Sequence, residues 1–213
     1  QGIQEGFDSL DADVKHITPV VCDNHVSATR SDRRPKVEKL LIEEILLGHY
    51  VAVAEKPLIV NAIGAVEKPG STELRLILDA SLPPDKSLNS YANPEHFTLD
   101  TVDSAISVLG RNWYQAKIDL RRGYRSVPIA PHNYTCAGIK WKFEGASDYT
   151  YLIDTRLCMG ASKAPSIFQR ISSSVCCMMR RKGYICFVYL DDYYVCAESY
   201  RLCKEAYDYL WKL

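Results

Sequence analysis

The chain has 213 residues, of which 47% are apolar and 24% charged, the balance of an ordinary globular protein that buries a core without disulfide staples. That excludes a disordered tail, a collagen-like repeat and a miniprotein, and no apolar run reaches the roughly 18 residues of a membrane span. Net charge is +0, from 26 basic and 26 acidic residues, so charge alone excludes no partner.

Residues 1–34 are polar and without period and read as a loosely held arm. Pro35 opens a helix, with Val37, Leu40, Leu41 and Ile45 at helical spacing and Gly48 to end it. Ile59–Val66 and Leu74–Leu78 read as strands around the turn Pro69-Gly70-Ser71-Thr72. Asp100 is expected to cap a short helix that runs to Leu109. Trp113–Ile118 reads as a strand ending at Asp119, and Ser126–Ile129 as another. Ile139, Trp141 and Phe143 alternate with lysines, which predicts a strand buried on one face, with Tyr149–Ile153 pairing back on it. Ser162–Lys182 reads as a helix with Pro165 in its first turn, Gly183 past its end, and Phe168, Ile171, Val175 and Met178 on its buried face. Ile185–Leu190 and Tyr193–Ala197 are apolar runs two residues apart, a hairpin whose loop is read as Asp191-Asp192. A helix over 199–213 follows, with Leu202, Ala206 and Leu210 on one face. Strands mixed with helices predict an α+β fold.

The charges are segregated. The first thirteen residues carry Glu5, Asp8, Asp11 and Asp13 and no base, the wrong charge for a signal or transit peptide. Basic clusters follow at Arg30, Arg33, Arg34, Lys36 and Lys39, at Arg121, Arg122 and Arg125, and at Arg180, Arg181 and Lys182. Each alone is a solvated face; three leave a nucleic-acid partner open. The eight cysteines form no C-x-x-C pair, so they read as buried reduced thiols of an intracellular protein, in cytoplasm or nucleus, rather than zinc ligands. The missing initiator Met and a last residue, Leu213, inside a helical pattern suggest a piece of a longer polypeptide.

The Asp191-Asp192 pair is unusual for a hairpin loop, because adjacent carboxylates repel and such turns favour Asn-Gly or Asp-Gly. Its flanks, Tyr189-Leu190 and Tyr193-Tyr194, are apolar and aromatic. Carboxylates held this way suit a hard divalent cation, Mg²⁺ or Mn²⁺. Asp119 supplies a third acid at a strand end. Three such carboxylates hold two metals about 4 Å apart, the arrangement for in-line phosphoryl transfer. Lys68 and Arg75, either side of the 69–72 turn, are candidates for triphosphate charge.

At these residues the sequence resembles the reverse transcriptases, RNA-directed DNA polymerases of retroelements. Tyr189-Leu190-Asp191-Asp192 resembles the Y-x-D-D box, and Lys117-Ile118-Asp119-Leu120 with Gly123-Tyr124 the first catalytic motif. Leu157-Cys158-Met159-Gly160-Ala161, followed by Ala164-Pro165 and Phe168, resembles the L-P-F-G motif, and Arg75 with Asp79 the fingers motif R-x-x-x-D. Cys158 and Met159 depart from the usual Pro and Phe or Gln. Pro128-Ile129-Ala130-Pro131 and Tyr151–Leu157 resemble polyproteins of DIRS-like retrotransposons.

The resemblance implies a polymerase palm, an antiparallel sheet packed by helices, with a fingers subdomain and no thumb. The division expected is an unassigned arm over 1–35, fingers over 36–110 and palm over 111–213. It further implies two Mg²⁺ (or Mn²⁺) on Asp119, Asp191, Asp192 and the Leu120 carbonyl. Lys68, Arg75 and the backbone N–H groups of Arg122 and Gly123 would bind the deoxynucleotide triphosphate. Tyr124 would be a steric gate against the 2′-hydroxyl, Met159 would line the nucleotide pocket, Gly160 would admit the template and Tyr189 would lie near the primer end. The implied partners are an RNA or DNA template with its primer and the rest of a polyprotein, thumb and RNase H included, with no membrane. The rival readings are an inactive relic of a mobile element and a Mg²⁺-dependent nuclease or phosphatase, which has no use for a sugar gate.

Overall fold

In the computed structural model, which describes residues 2–213, helices and short runs of strands are interspersed along the chain. They are helix α1 (Gly2–Glu5), strand β1 (Val20–Val21), helices α2 (Val26–Thr29) and α3 (Arg34–Leu46), strands β2 (Tyr50–Val53), β3 (Ile59–Glu67) and β4 (Leu74–Asp79), helix α4 (Val102–Val108), strands β5 (Tyr114–Asp119), β6 (Gly138–Trp141) and β7 (Thr150–Asp154), helix α5 (Ala164–Arg181), strands β8 (Ile185–Tyr189) and β9 (Asp192–Ala197), and helix α6 (Tyr200–Leu210). They gather into two compact units. One comprises the residues up to Pro94 and Tyr124–Ala164, the other Glu95–Gly123 and Pro165–Leu213. The chain therefore leaves and re-enters each unit.

The first unit is built on a six-stranded sheet in the order β1-β3-β6-β7-β2, with β4 paired to β3. The expected β3–β4 hairpin forms, with Val66 opposite Arg75. β3 is buried along nearly all its length because it also pairs in parallel with β1 and β6. β6 is buried on both faces, not one: Lys140 is taken in by an ion pair with Asp23 at 2.7 Å, and Phe143 lies beyond the strand's end. Ser126–Ile129 does not form a strand, because Pro128 and Ile129 make only isolated bridges, to Arg156 and Phe7.

The loosely held arm is also corrected. Phe7 N donates to Pro128 O at 3.0 Å, Ser9 binds the buried Asn133, and β1 joins the sheet beside Ile59 and Val60. These attachments are one or two residues long and leave no periodic signature. Arg125 is likewise not a nucleic-acid cation. Its guanidinium binds Asp154 at 2.6 and 2.8 Å and Glu44 at 2.7 and 2.9 Å, and Glu44 also holds His49. Burial pushes the Asp154 carboxyl up; it also acts on Glu44, where the charges of Arg125 and His49 prevail and hold the carboxyl below its usual range.

The second unit is a three-stranded antiparallel sheet, β5-β9-β8, packed by α5 and α6. Its core joins Ile118, Cys176, Met179, Cys186, Val188, Tyr193, Val195, Cys203, Ala206 and Leu210. The buried stripe of α5 is not the expected one. Phe168 is buried, but it continues through Ser172, Cys176 and Met179, while Ile171 and Val175 are half-buried and Met178 is exposed. In the middle of the stripe Ser172 and Cys176 are small, which lets the helix backbone come close there. The cap of α4 is Thr101, which accepts from Ser104 N at 3.1 Å. Asp100 instead accepts from Val188 N at 2.9 Å on the free edge of β8 and pairs with Arg180 at 2.9 Å. The eight cysteines are free thiols, six of them buried.

Arg125→Met should lower stability by about 3–5 kcal/mol, since it leaves Asp154 buried and unpaired. Urea unfolding checks this, with Arg30→Met, an exposed partner of Asp32, expected to leave stability nearly unchanged because water screens such a pair.

Candidate active site

The pairing of β5 with β9 sets Asp119 directly opposite Asp192, and the pairing of β8 with β9 sets Tyr189 opposite the same Asp192. Directly opposed residues of an antiparallel pair share a face, so two of the three expected acids stand side by side. The hairpin loop is Leu190-Asp191, one residue earlier than the sequence suggests, because Asp192 is already a paired strand residue. Leu190 takes a left-handed φ of 54°, the position where such a turn normally carries Gly. A side chain there costs on the order of 1–2 kcal/mol.

Two hydrogen bonds hold this strained turn. Leu190 N donates to Oε1 of the buried Gln169 at 2.8 Å, and Leu120 N donates to Asp191 O at 3.0 Å. Gly123 completes the seat: a Cβ there would lie 2.7 Å from the Phe168 ring and 3.2 Å from Asp191 Cβ, so only glycine admits both. Burial, then the charges of Asp192 and Asp119, push the Asp191 carboxyl above its usual range. Lys117, two residues before Asp119 on the same face, places its ammonium 2.9 Å from Asp192 Oδ1. Tyr189 is exposed at the end of β8, and Arg122 is exposed with φ 58°.

Among the described residues no three His, Cys, Asp or Glu side chains close into a ready metal cage. The donor set nonetheless fits a hard divalent cation. All three groups are carboxylates, Asp191 feels the charge of the other two, and the Lys117 ammonium is drawn onto Asp192.

The first unit carries the other candidates. Lys68 faces Glu73 across the β3–β4 turn and is ion-paired with it, while Arg75 is exposed on the same face of the hairpin. Tyr124 is half-buried, its carbonyl accepting from Val127 N at 3.2 Å. Met159 is exposed and its carbonyl accepts from Leu78 N at 3.3 Å. Gly160 has φ 117°, and a Cβ on it would sit 2.0 Å from Leu78 O, so no other residue fits. Asn89 clamps this loop, donating to Gly160 O at 2.9 Å and accepting from Ser162 N at 2.8 Å. An open cavity of about 360 Å³ lies beside Gly160, lined also by His25, Ser27, Asp79 and Ser81. Burial pushes the Cys158 thiol up to about 12, so it packs rather than reacts.

Gln169 and Asn89 were not legible as site residues. Gln169 had one signal, an amide at helical spacing with the Ser172, Cys176 and Met179 stripe; Asn89 had none.

A family model described as "Reverse transcriptase (RNA-dependent DNA polymerase)" matches residues 67–211. The Pol polyprotein of transposon gypsy from Drosophila melanogaster is 27% identical over 135 residues, 61% of this chain and 11% of that protein. The Pol polyprotein of transposon opus from the same organism is 26% identical over 132 residues, 62% of this chain and 12% of that protein. The Gag-Pol polyprotein of Koala retrovirus is 24% identical over 144 residues, 66% of this chain and 8% of that protein. The chain thus spans about a tenth of the length of these curated relatives. Among solved structures, a foamy viral protease-reverse transcriptase in complex with double-stranded DNA superposes with a TM-score of 0.73 at 18% identity, over 97% of this chain and 32% of that one. Prototype foamy virus protease-reverse transcriptase superposes with a TM-score of 0.68 at 17% identity, over 97% of this chain and 24% of that one. The fold is the fingers-and-palm fold of those polymerases.

Gln169→Met should destabilise the second unit by about 1–3 kcal/mol, because Leu190 N loses its buried acceptor. Adding Leu190→Gly should recover part of that loss, since glycine adopts the turn without strain. A double-mutant cycle by urea unfolding checks the coupling.

Proposed function

The chain belongs to the reverse transcriptase (RNA-dependent DNA polymerase) family, and from that premise we propose that it is the fingers-and-palm part of a retroelement enzyme that adds deoxynucleotides to a primer 3′ end on an RNA or DNA template. The observation that carries this reading is the register that sets Asp119 against Asp192, with Asp191 in the adjoining turn. In this reading the second unit is the palm and the first the fingers.

Asp119, Asp191, Asp192 and the Leu120 carbonyl would hold two Mg²⁺ or Mn²⁺. Bound there, the ions lower the pKa of the primer hydroxyl and neutralise the leaving pyrophosphate. The hydroxyl oxygen bonds to the α-phosphorus as the bond to the β-phosphate oxygen breaks. Lys68 and Arg75, on one face of the β3–β4 hairpin, meet the triphosphate as a point charge and a planar fork. The backbone N–H groups of Arg122 and Gly123 donate to its phosphates. Tyr124 bars a 2′-hydroxyl by volume, Met159 lines the nucleotide pocket, and Tyr189 supports the primer end. The template strand passes along the cavity beside Gly160. Thumb and RNase H segments of a polyprotein like those of the relatives complete the enzyme, and the thumb's phosphate contacts raise affinity for the duplex.

Primer extension on an RNA template with Mg²⁺ tests the reading. Asp191→Asn should cut incorporation by roughly a hundredfold or more, the scale of removing one preorganised charge from a polar transition-state site, with an unchanged melting temperature. Extension at the wild-type rate by this variant overturns the assignment. Tyr124→Ala should admit ribonucleotides, read as a fall of about tenfold or more in the deoxy-to-ribo preference, since one steric contact is worth about 1–3 kcal/mol.

A further inference from the structure

We propose that Lys117 is the resident counter-ion of the acid cluster and sets its affinity for divalent cations, holding Asp192 until such an ion displaces it. The inference rests on the reading of Asp119, Asp191 and Asp192 as the divalent-ion site.

The strand register carries it. Lys117 lies opposite Tyr194 and Asp119 opposite Asp192, so Lys117 is the diagonal neighbour of Asp192 on the shared face, within reach of a long side chain. Its Nζ stands 2.9 Å from Asp192 Oδ1. The ammonium has no structural duty that explains the position: its side chain is 62% exposed, and the facing Tyr194 hydroxyl is bonded instead to Gln115 at 2.9 Å. A positive charge therefore stands on the strand face that carries Asp119 and Asp192.

Three carboxylates gathered without a cation repel one another, and Lys117 offsets part of that repulsion. An exposed ion pair of this kind is weak, and the ammonium rides on a flexible stem, so a doubly charged ion displaces it readily. Displacement still leaves a like charge a few ångströms from the incoming ion. In a water-exposed site that is worth about tenfold in ion affinity. Lys117 thus tunes the site rather than blocks it.

The test is Mn²⁺ binding by the chain, read from the electron paramagnetic resonance signal of the free ion. Lys117→Gln should bind Mn²⁺ about tenfold more tightly than wild type, with the gap narrowing in about 1 M salt, where the screening length falls to about 3 Å. Lys117→Arg keeps the charge and should match wild type; if it follows Lys117→Gln instead, the charge argument is overturned. Equal affinities for wild type and Lys117→Gln, together with weakened binding by Asp191→Asn, overturn the role of Lys117 and leave the acid site standing. If wild type binds no Mn²⁺, or Asp191→Asn binds it as wild type does, the acid-site reading fails and this inference fails with it.

Discussion

The pairing of Asp119 with Asp192 across β5 and β9 is the constraint on which the second unit turns. Strand side chains alternate, so a slip of one residue would send Asp119 and Lys117 to the opposite face. The register is held from both sides. Ile118, Val188, Tyr193 and Val195 enter the core beneath α5 and α6, and the hairpin turn is anchored by Gln169 and by Leu120 N. A reacting group benefits from a rigid scaffold because misplacement by an ångström is costly. Here the scaffold accepts a left-handed Leu190 to keep Asp191 at the tip, a strain that persists because its surroundings over-determine it.

Charge is handled in two ways. In the first unit, buried Asp154 and half-buried Arg125, Glu44 and His49 answer one another with short hydrogen bonds, which makes them structural. In the second unit the acids are only partly covered, and the ammonium paired with Asp192 sits on a flexible, exposed side chain. Burial with complete pairing suits a group that must stay as it is. Exposure with loose pairing suits one that must exchange partners.

Close approach explains several residue choices at once. Gly123 makes room for Phe168 and Asp191, Gly160 for the Leu78 carbonyl, and Ser172 and Cys176 for the sheet under α5. In each case the small side chain answers to the space that backbone or a neighbour's bulk needs. The apolar reading of α5 missed this. Hydrophobicity ranked Ile171, Val175 and Met178 above the serines and cysteines, but interhelical and helix–sheet distance is set by the smallest residues at the contact.

The sequence by itself determined the α+β class, the β3–β4 hairpin, the helices at Pro35 and Pro165, the four motifs in order and the three acids. Each of these is written in local periodicity, turn chemistry or motif spacing. Only the tertiary structure decided that Asp192 is a strand residue and Leu190-Asp191 the loop, that Asp100 guards the edge of β8, that Gln169 holds the turn, and that Val20–Val21 joins a sheet. It also decided that the chain threads through each unit twice. These features depend on pairing between residues far apart in the chain, where backbone hydrogen bonds and steric fit choose the partner, and no local pattern of residue types encodes that choice.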